Sequence, residues 1–383
     1  MARACLTFLF LLGAASCSRQ TGREPALLHA GSLRTLLDSA QAAAVCEHAR
    51  VLPEGTQIAL CILRGDSECY AGAVRDNDSL VAVNNSDSVF EIGSITKTFT
   101  GTMLAQLILD GTVRPDDPVQ KYLPVTLRES TRDGRAITLL ELADHTSGLP
   151  FEPTNIRGRG DSPFDPYNPY GNYTTELLYE YLSRQVVLQS TPGERRLYSN
   201  LGGGLLGHVL TLVSKKSYEQ LLQETVCRPL GMRATSVERT QESQHRMVHG
   251  RDLRGNVLPF GVGDCGPLTG AGGIASSVRD LVRYVRANIA DTGCFALAQK
   301  PTRRFDEHFS GGLGWAPYSE GNLDHMGAFG ATGGFTSGLI FERHRRVAVI
   351  VLTNVSAFVA PEQKPVESLC RALYDPLVNA AVQ

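Results

Sequence analysis

Apolar positions fall into two regimes along the chain: short, strand-like runs near both ends and helical spacing through the middle. A helix is expected over 33–48, then strands over 57–63, 68–74 and 87–92, the first two joined by a turn at Arg64-Gly65-Asp66. From 98 to 110 the apolar residues Phe99, Met103, Leu104, Leu107 and Ile108 predict a helix that Gly111 ends. A helix-rich stretch extends to about 288. Its helix starts are marked by Thr138 with Glu141, Ser217 with Gln220, and Ser277 with Asp280. Within it, 161–172 is rich in Pro, Tyr, Asn and Gly and reads as a long loop of the kind that often carries function. Strands return over 313–318, 334–342 and 347–354, the last two separated by the polar turn Arg343-His344-Arg345-Arg346, and 361–378 can form a closing helix. Strands at both ends joined by short turns imply an α/β fold of the α+β type. Its antiparallel sheet is flanked by helices, with a mostly helical lobe of about 98–288 inserted.

Residues 1–16 read as an export signal: Arg3 supplies the positive start, 5–13 the short apolar core, and Ala14-Ala15-Ser16 the small-residue cleavage site. Cys17 follows, so the choice lies between a lipid anchor on that cysteine, with a periplasmic or cell-envelope location, and simple secretion. The segment 17–30 is a polar tether, and 31–383 forms the folded domain. A net charge of −2 with no basic run argues against nucleic acid as a partner. Seven cysteines lie beyond Cys17, and export permits disulfides. Cys61 and Cys69 flank the expected turn, so they either face each other across two strands or stand as separate buried thiols. Cysteine and histidine spacings match no metal site, so none is expected.

The chemistry concentrates in three places. Ser94-Ile95-Thr96-Lys97 puts a hydroxyl and an amine three residues apart, on one face of a helix, where the amine can take the serine proton. A helix N-terminus there would also favour developing negative charge. Alone, the motif arises about once by chance in a chain this long and also fits a capped helix. After the Pro192-Gly193 turn, a short extended piece presents Tyr198 and Asn200 on one side. The phenol can relay protons and the amide can hold a carbonyl, or the tyrosine is simply buried with its hydroxyl satisfied. Gly327-Ala328-Phe329-Gly330-Ala331-Thr332-Gly333-Gly334-Phe335 is a glycine-rich strand edge. A substrate backbone can lie against it and an N–H can complete an oxyanion hole, or it is a close-packed sheet edge.

Taken together these segments resemble the serine β-lactamase and penicillin-binding protein superfamily, in its class C branch. The run Phe90 to Gly101 resembles the nucleophile segment, Leu139 to Pro150 a recurring landmark, and Tyr198-Ser199-Asn200 the Tyr-x-Asn motif. Cys227-Arg228-Pro229-Leu230-Gly231-Met232 and Thr332-Gly333-Gly334-Phe335 match further landmarks, in the right order, over roughly residues 35–380. The resemblance implies Ser94 as acylated nucleophile, Lys97 as its base, and Tyr198 as the group that protonates the leaving group and activates the deacylating water. It implies Asn200 as a substrate contact and the N–H groups of Ser94 and Ala331 as oxyanion donors, with Gly330 and Thr332 beside Ala331 on the substrate-binding edge. It implies no metal and no organic cofactor.

One position departs from the pattern. Four residues before Thr332, where the superfamily carries Lys or His, stands Ala328. That cation would help bind a substrate carboxylate, so penicillins and D-Ala termini should bind less well. His325 substitutes if the strand bulges; otherwise it is a surface histidine.

The expected function is therefore an exported serine hydrolase working through an acyl-enzyme on a small-molecule or peptidoglycan-like substrate, an esterase or peptidase-like enzyme before an efficient β-lactamase. The alternatives are a β-lactamase or D-Ala-D-Ala carboxypeptidase, and a non-catalytic binding protein on the same scaffold. Gly202-Gly203-Gly204-Leu205-Leu206-Gly207 and 261–266 fit a dinucleotide-binding spacing without its strand–turn–helix context. His145, in the Asp144 to Gly148 landmark, is expected to be structural.

Overall fold

The structure, a computed structural model, describes residues 29–156, 165, 167–239, 241–252, 254–258, 265–321, 323–357, 361–362 and 364–379. The expected leader, Cys17, most of the tether, 261–264 of the second glycine motif, and 161–164 and 166 of the loop lie outside these residues.

Among the described residues seven strands form one antiparallel sheet: β1 (Gln57–Arg64), β2 (Ser67–Asp76), β3 (Ser79–Ala82), β4 (Ala316–Glu320), β5 (Leu323–Ala331), β6 (Thr336–Glu342) and β7 (Val347–Thr353). Their order is β4-β5-β6-β7-β1-β2-β3. The two ends of the chain meet where β1 pairs with β7, Ile58 opposite Thr353 and Arg64 opposite Val347. This is the expected single sheet, its halves joined across the inserted helices.

Both faces of the sheet are covered. Along β1, Ile58, Leu60 and Ile62 face a core shared with α1 (Ser39–Ala49) and the C-terminal helix, here α6 (Pro365–Asn379). Ala59, Cys61 and Leu63 face the core shared with the inserted helices. Burial on both sides explains why β7 is buried at every position and reads as a continuous apolar run rather than an alternating one. The period of two also decides between the two readings of Cys61 and Cys69. Cys61 stands opposite Tyr70, and Cys69 opposite Ile62, one position out of step. Their side chains therefore lie on opposite faces. The Cys69 thiol donates to Leu36 O at 3.3 Å, and the seven described cysteines are all free.

Several boundaries differ from expectation. The first helix divides into a 3-10 turn, Gly31–Thr35, and α1, because Asp38 caps a new start by accepting from Gln41 N at 2.8 Å. The strand expected over 87–92 is reduced to Phe90–Glu91, which pairs with Ala275–Ser276 outside the main sheet. The three expected helix starts at Thr138, Ser217 and Ser277 are all capped as read.

At the centre lies α2 (Thr96–Leu109), buried except for Gln106, Ile108 and Leu109. Its polar residues survive burial because each has a partner: Thr100 donates to Gly270 O at 2.8 Å and Thr102 to Thr98 O at 2.9 Å. The helix α3 (Asn200–Ser214) packs closely on α4 (Thr269–Gly272) through a glycine seam, where a Cβ on Gly207 would lie 2.8 Å from Gly270 Cα. The glycine motif that resembles a dinucleotide fingerprint is thus a helix-packing surface. The remaining sheet-facing helix, α5 (Val278–Ala290), rests on β1 and β7.

Candidate active site

Ser94 sits where the helical layer meets the C-terminal end of β5. Ile92 N donates to Ile274 O at 3.1 Å, and Ile92 O accepts from Ser337 Oγ at 2.8 Å, which ties the approach to both layers. Gly93 then turns the chain at φ +49°, and a Cβ there would lie 2.5 Å from Ala331 N. Only glycine allows that conformation and that approach at little cost. Ser94 itself lies in a 3-10 turn, Gly93–Ile95, that runs directly into α2. The expected helix N-terminus is therefore present, with its first turn tightened.

Lys97, 5% exposed, has three oxygens at hydrogen-bond distance from Nζ: Ser94 Oγ at 3.0 Å, Asn200 Oδ1 at 2.8 Å and Ala271 O at 2.7 Å. Its side chain passes where a Cβ on Gly203 would come within 2.9 Å of Lys97 Cε. The Tyr198 hydroxyl lies 2.7 Å from Ser94 Oγ, and Lys97 Nζ stands 4.8 Å from the Tyr198 ring centroid. Ser94, Lys97, Tyr198 and Asn200 thus converge, as the sequence leads one to expect.

The landmark around His145 holds this arrangement. Leu197 N donates to His145 O at 2.7 Å, Ser199 N to His145 Nδ1 at 3.3 Å, and Asn200 N to Phe151 O at 2.9 Å. The His145 ring lies 4.4 Å from that of Tyr198. Burial above all, then the charges of Arg196 and Lys97, hold the His145 imidazole well below the usual histidine range. A neutral ring is what lets Nδ1 accept from Ser199, so the residue is structural, as expected. Arg196 lies within electrostatic reach of Tyr198, its guanidinium 5.2 Å over the Phe309 ring. Burial disfavours its charge, while Tyr198 and Asp144 favour it.

Two residues of the site carried no recognisable sequence signal as a pair. Asn200 Nδ2 donates to Tyr170 OH at 3.1 Å, and Tyr170 OH donates to Glu152 Oε1 at 2.6 Å. Tyr170 belongs to the loop whose composition had marked it as functional; Glu152 follows a landmark and had no mark of its own.

The third segment decides between the two readings of His325. The strand β5 keeps a regular register against β6, with Ala328 opposite Leu339 and His325 opposite Glu342. Three residues apart in an unbulged strand, the two face opposite sides. Ala328 packs toward the Ser94 side, while His325 Nδ1 meets Tyr374 OH at 2.7 Å on the other. His325 does not stand in for the missing cation. Ala331 N lies against Gly93, and Gly330 presses on Ile92 O, where a Cβ would come within 1.9 Å. Thr332 N donates to Phe335 O at 2.9 Å, and Thr332 Oγ1 is buried with no hydrogen-bond partner among the described residues. Among the described residues no group of three or more His, Cys, Asp or Glu side chains could hold a metal ion.

A serine contacted by both a buried lysine and a tyrosine, at the junction of a helical layer and a sheet edge, agrees with the comparisons. Residues 50–366 match the Beta-lactamase family model, and the chain belongs to that family of serine hydrolases. It is 31% identical over 335 residues to the D-alanyl-D-alanine-carboxypeptidase/endopeptidase AmpH of Escherichia coli (strain K12), covering 81% of this chain and 80% of AmpH. It is 26% identical over 350 residues to a beta-lactamase of Pseudomonas fluorescens, covering 82% and 92%. The crystal structure of a beta-lactamase/D-alanine carboxypeptidase from Yersinia pestis superposes with a TM-score of 0.72 at 23% identity, over 92% of this chain and all of that one, a likeness of fold.

Proposed function

We propose that this protein hydrolyses small neutral ester or amide substrates through an acyl-enzyme on Ser94. The observation that carries the reading is the double contact on Ser94 Oγ, from Lys97 Nζ at 3.0 Å and Tyr198 OH at 2.7 Å. As a neutral amine, Lys97 keeps two N–H bonds for the carbonyl oxygens of Asn200 and Ala271, and its lone pair is left facing the serine. The serine oxygen attacks the substrate carbonyl as its proton passes to Lys97. The N–H groups of Ser94 and Ala331 receive the oxyanion. Collapse expels the leaving group, which takes a proton from Tyr198, and the tyrosine is reprotonated from Lys97. Water then attacks the acyl carbonyl, giving its proton to Tyr198 as the tyrosine passes its own to the neutral Lys97; collapse breaks the bond to Ser94 Oγ, which takes that proton back from Lys97, and the acid leaves. Asn200 orients the substrate, and Gly330 and Thr332 form the edge along which it lies.

Neutral substrates are favoured because Ala328 offers no charge where a carboxylate would sit. The runner-up is a D-Ala-D-Ala carboxypeptidase or β-lactamase. The 31% identity to AmpH speaks for it, and Arg196 beside Tyr198 is the cation available to it. Export rests on the leader pattern, and no helix among the described residues is long and apolar enough to cross a membrane.

Intact-mass labelling with a fluorophosphonate and with a penicillin, side by side, tests the reading. The fluorophosphonate should add to wild type and not to Ser94→Ala, and penicillin should label slowly. Rapid penicillin labelling would favour the runner-up, and label from neither the binding-protein alternative.

A further inference from the structure

Asn200 does more than face the cleft: it sits in a chain of hydrogen bonds that starts outside the reacting groups. Glu152 Oε1 accepts from Tyr170 OH at 2.6 Å, Tyr170 OH accepts from Asn200 Nδ2 at 3.1 Å, and Asn200 Oδ1 accepts from Lys97 Nζ at 2.8 Å. The direction of every link follows from its end. An ionised carboxylate only accepts, so the phenol must spend its proton on Glu152. The phenol oxygen can then only accept from Asn200, which turns the amide nitrogen toward Tyr170 and the amide oxygen toward Lys97. Burial, followed by the Glu152 charge, raises the Tyr170 phenol well above its usual range, so the proton stays in place.

We infer that Glu152 and Tyr170 are positioning residues that lock the Asn200 amide in the one orientation that aims the Lys97 lone pair at Ser94. With Oδ1 inward, a neutral Lys97 amine donates to two carbonyl oxygens, Asn200 Oδ1 and Ala271 O, and has only Ser94 Oγ in front of its lone pair. With the amide reversed, Asn200 Nδ2 would donate to that lone pair and take the base away from the serine. The inference rests on the acyl-enzyme reading of Ser94. Among the described residues the titratable and charged groups around Lys97 are Tyr198, His145, and Arg196 beyond it, and through Asn200 also Tyr170, Glu152 and, acting on Tyr170, Cys265. Glu152 is the acceptor that sets the polarity of the chain.

The test uses the full chain and three forms: wild type, Glu152→Gln and Tyr170→Phe. Glutamine can donate to Tyr170, which frees the phenol proton to point at Asn200; phenylalanine removes the hydroxyl alone. Fluorophosphonate labelling rates and p-nitrophenyl acetate turnover are followed from pH 5 to 9, with thermal unfolding in parallel. Both variants should acylate roughly 10- to 100-fold more slowly, the weight of one hydrogen bond to a charged group. The loss should fall on kcat with KM within about twofold, and the rising limb of the pH profile should move relative to wild type. A purely structural role would lower the unfolding temperature and leave the shape of the pH profile alone. If wild type labels at Ser94 and both folded variants keep its rate and profile, the lock is refuted and the acyl-enzyme reading stands. If wild type does not label, both are refuted. Should Glu152→Gln fail to fold, Tyr170→Phe decides alone, since it removes only the middle link.

Discussion

At the scale of single residues, the site separates chemistry from substrate choice. Ala328 is where that separation can be tested, because it faces the Ser94 side of an unbulged β5 and His325 does not. A charge-assisted hydrogen bond to a substrate carboxylate contributes about 1.5–3 kcal/mol, so Ala328→Lys should raise kcat/KM on penicillin roughly 10- to 100-fold. Turnover of p-nitrophenyl acetate should change little. Equal gains on both substrates would mean that the lysine acts on Tyr198 rather than on the substrate. A second residue-scale effect follows from His145, held neutral by burial. The unfolded chain takes up a proton near pH 6.5 that the folded state refuses, so the contribution is fully present above that pH and is lost as pH falls below it. The cost grows by up to about 1.4 kcal/mol per pH unit. His145→Asn, which tolerates the left-handed backbone at φ +63° and carries no titrating group, should flatten urea-measured stability between pH 7 and 5. Parallel pH dependences in the two proteins would assign the acid sensitivity elsewhere.

At the scale of elements, legibility followed the range of the cause. The capped helix starts at Thr138, Ser217 and Ser277 were readable because a cap is a contact between residues three apart. The serine and lysine were readable for the same reason. The Tyr198 and Asn200 pair was legible as a local extended piece, but its meeting with Ser94 came from the family resemblance, since it spans 104 residues. Glu152 and Tyr170 escaped because each acts through a partner far along the chain, and neither residue type is unusual where it stands. The glycines of α3 fit a dinucleotide-binding spacing but lack its strand–turn–helix context, and their cause, the approach of other segments, is a long-range one. Two substitutions separate their roles. Gly207→Ala places a methyl against the Gly270 backbone and should destabilise by about 1–3 kcal/mol with catalysis per folded molecule retained. For a Cβ on Gly203 the three nearest atoms all belong to the Lys97 side chain rather than to backbone, so Gly203→Ala should cost less stability than Gly207→Ala while acylation falls about 10- to 100-fold through a displaced amine. Denaturation curves and labelling rates on both variants check the assignment, and the reverse pattern would overturn it.

At the scale of the whole molecule, the sheet divides two cores with different duties. That strands from both ends would join was readable from their order and short turns. That helices would flank the sheet was readable too, but which residues of β1 and β7 face which core was not, because a strand buried on two sides loses the alternation that reports a face. The core on the far face joins β1 and β7 to α1 and α6, across the sheet from the helical layer that bears Ser94. The near core contains α2, so the same helix that carries Lys97 packs Phe99 against Tyr284 with ring centroids 3.9 Å apart. Large-to-small changes should therefore be equally damaging to stability and unequally damaging to chemistry. Leu369→Ala, on α6 and 2% exposed, should cost about 2–5 kcal/mol, and Phe99→Ala about 3–5 kcal/mol. After correction for the folded fraction, Leu369→Ala should acylate within about twofold of wild type, since its cavity opens across the sheet from the site. Phe99→Ala should acylate about 10-fold or more slowly, because relaxation into its cavity shifts the turn that bears Lys97. Unfolding by denaturant gives the first quantity and single-turnover labelling the second. Equal kinetic losses in the two variants would show that the sheet transmits strain between the cores instead of insulating the site from one of them.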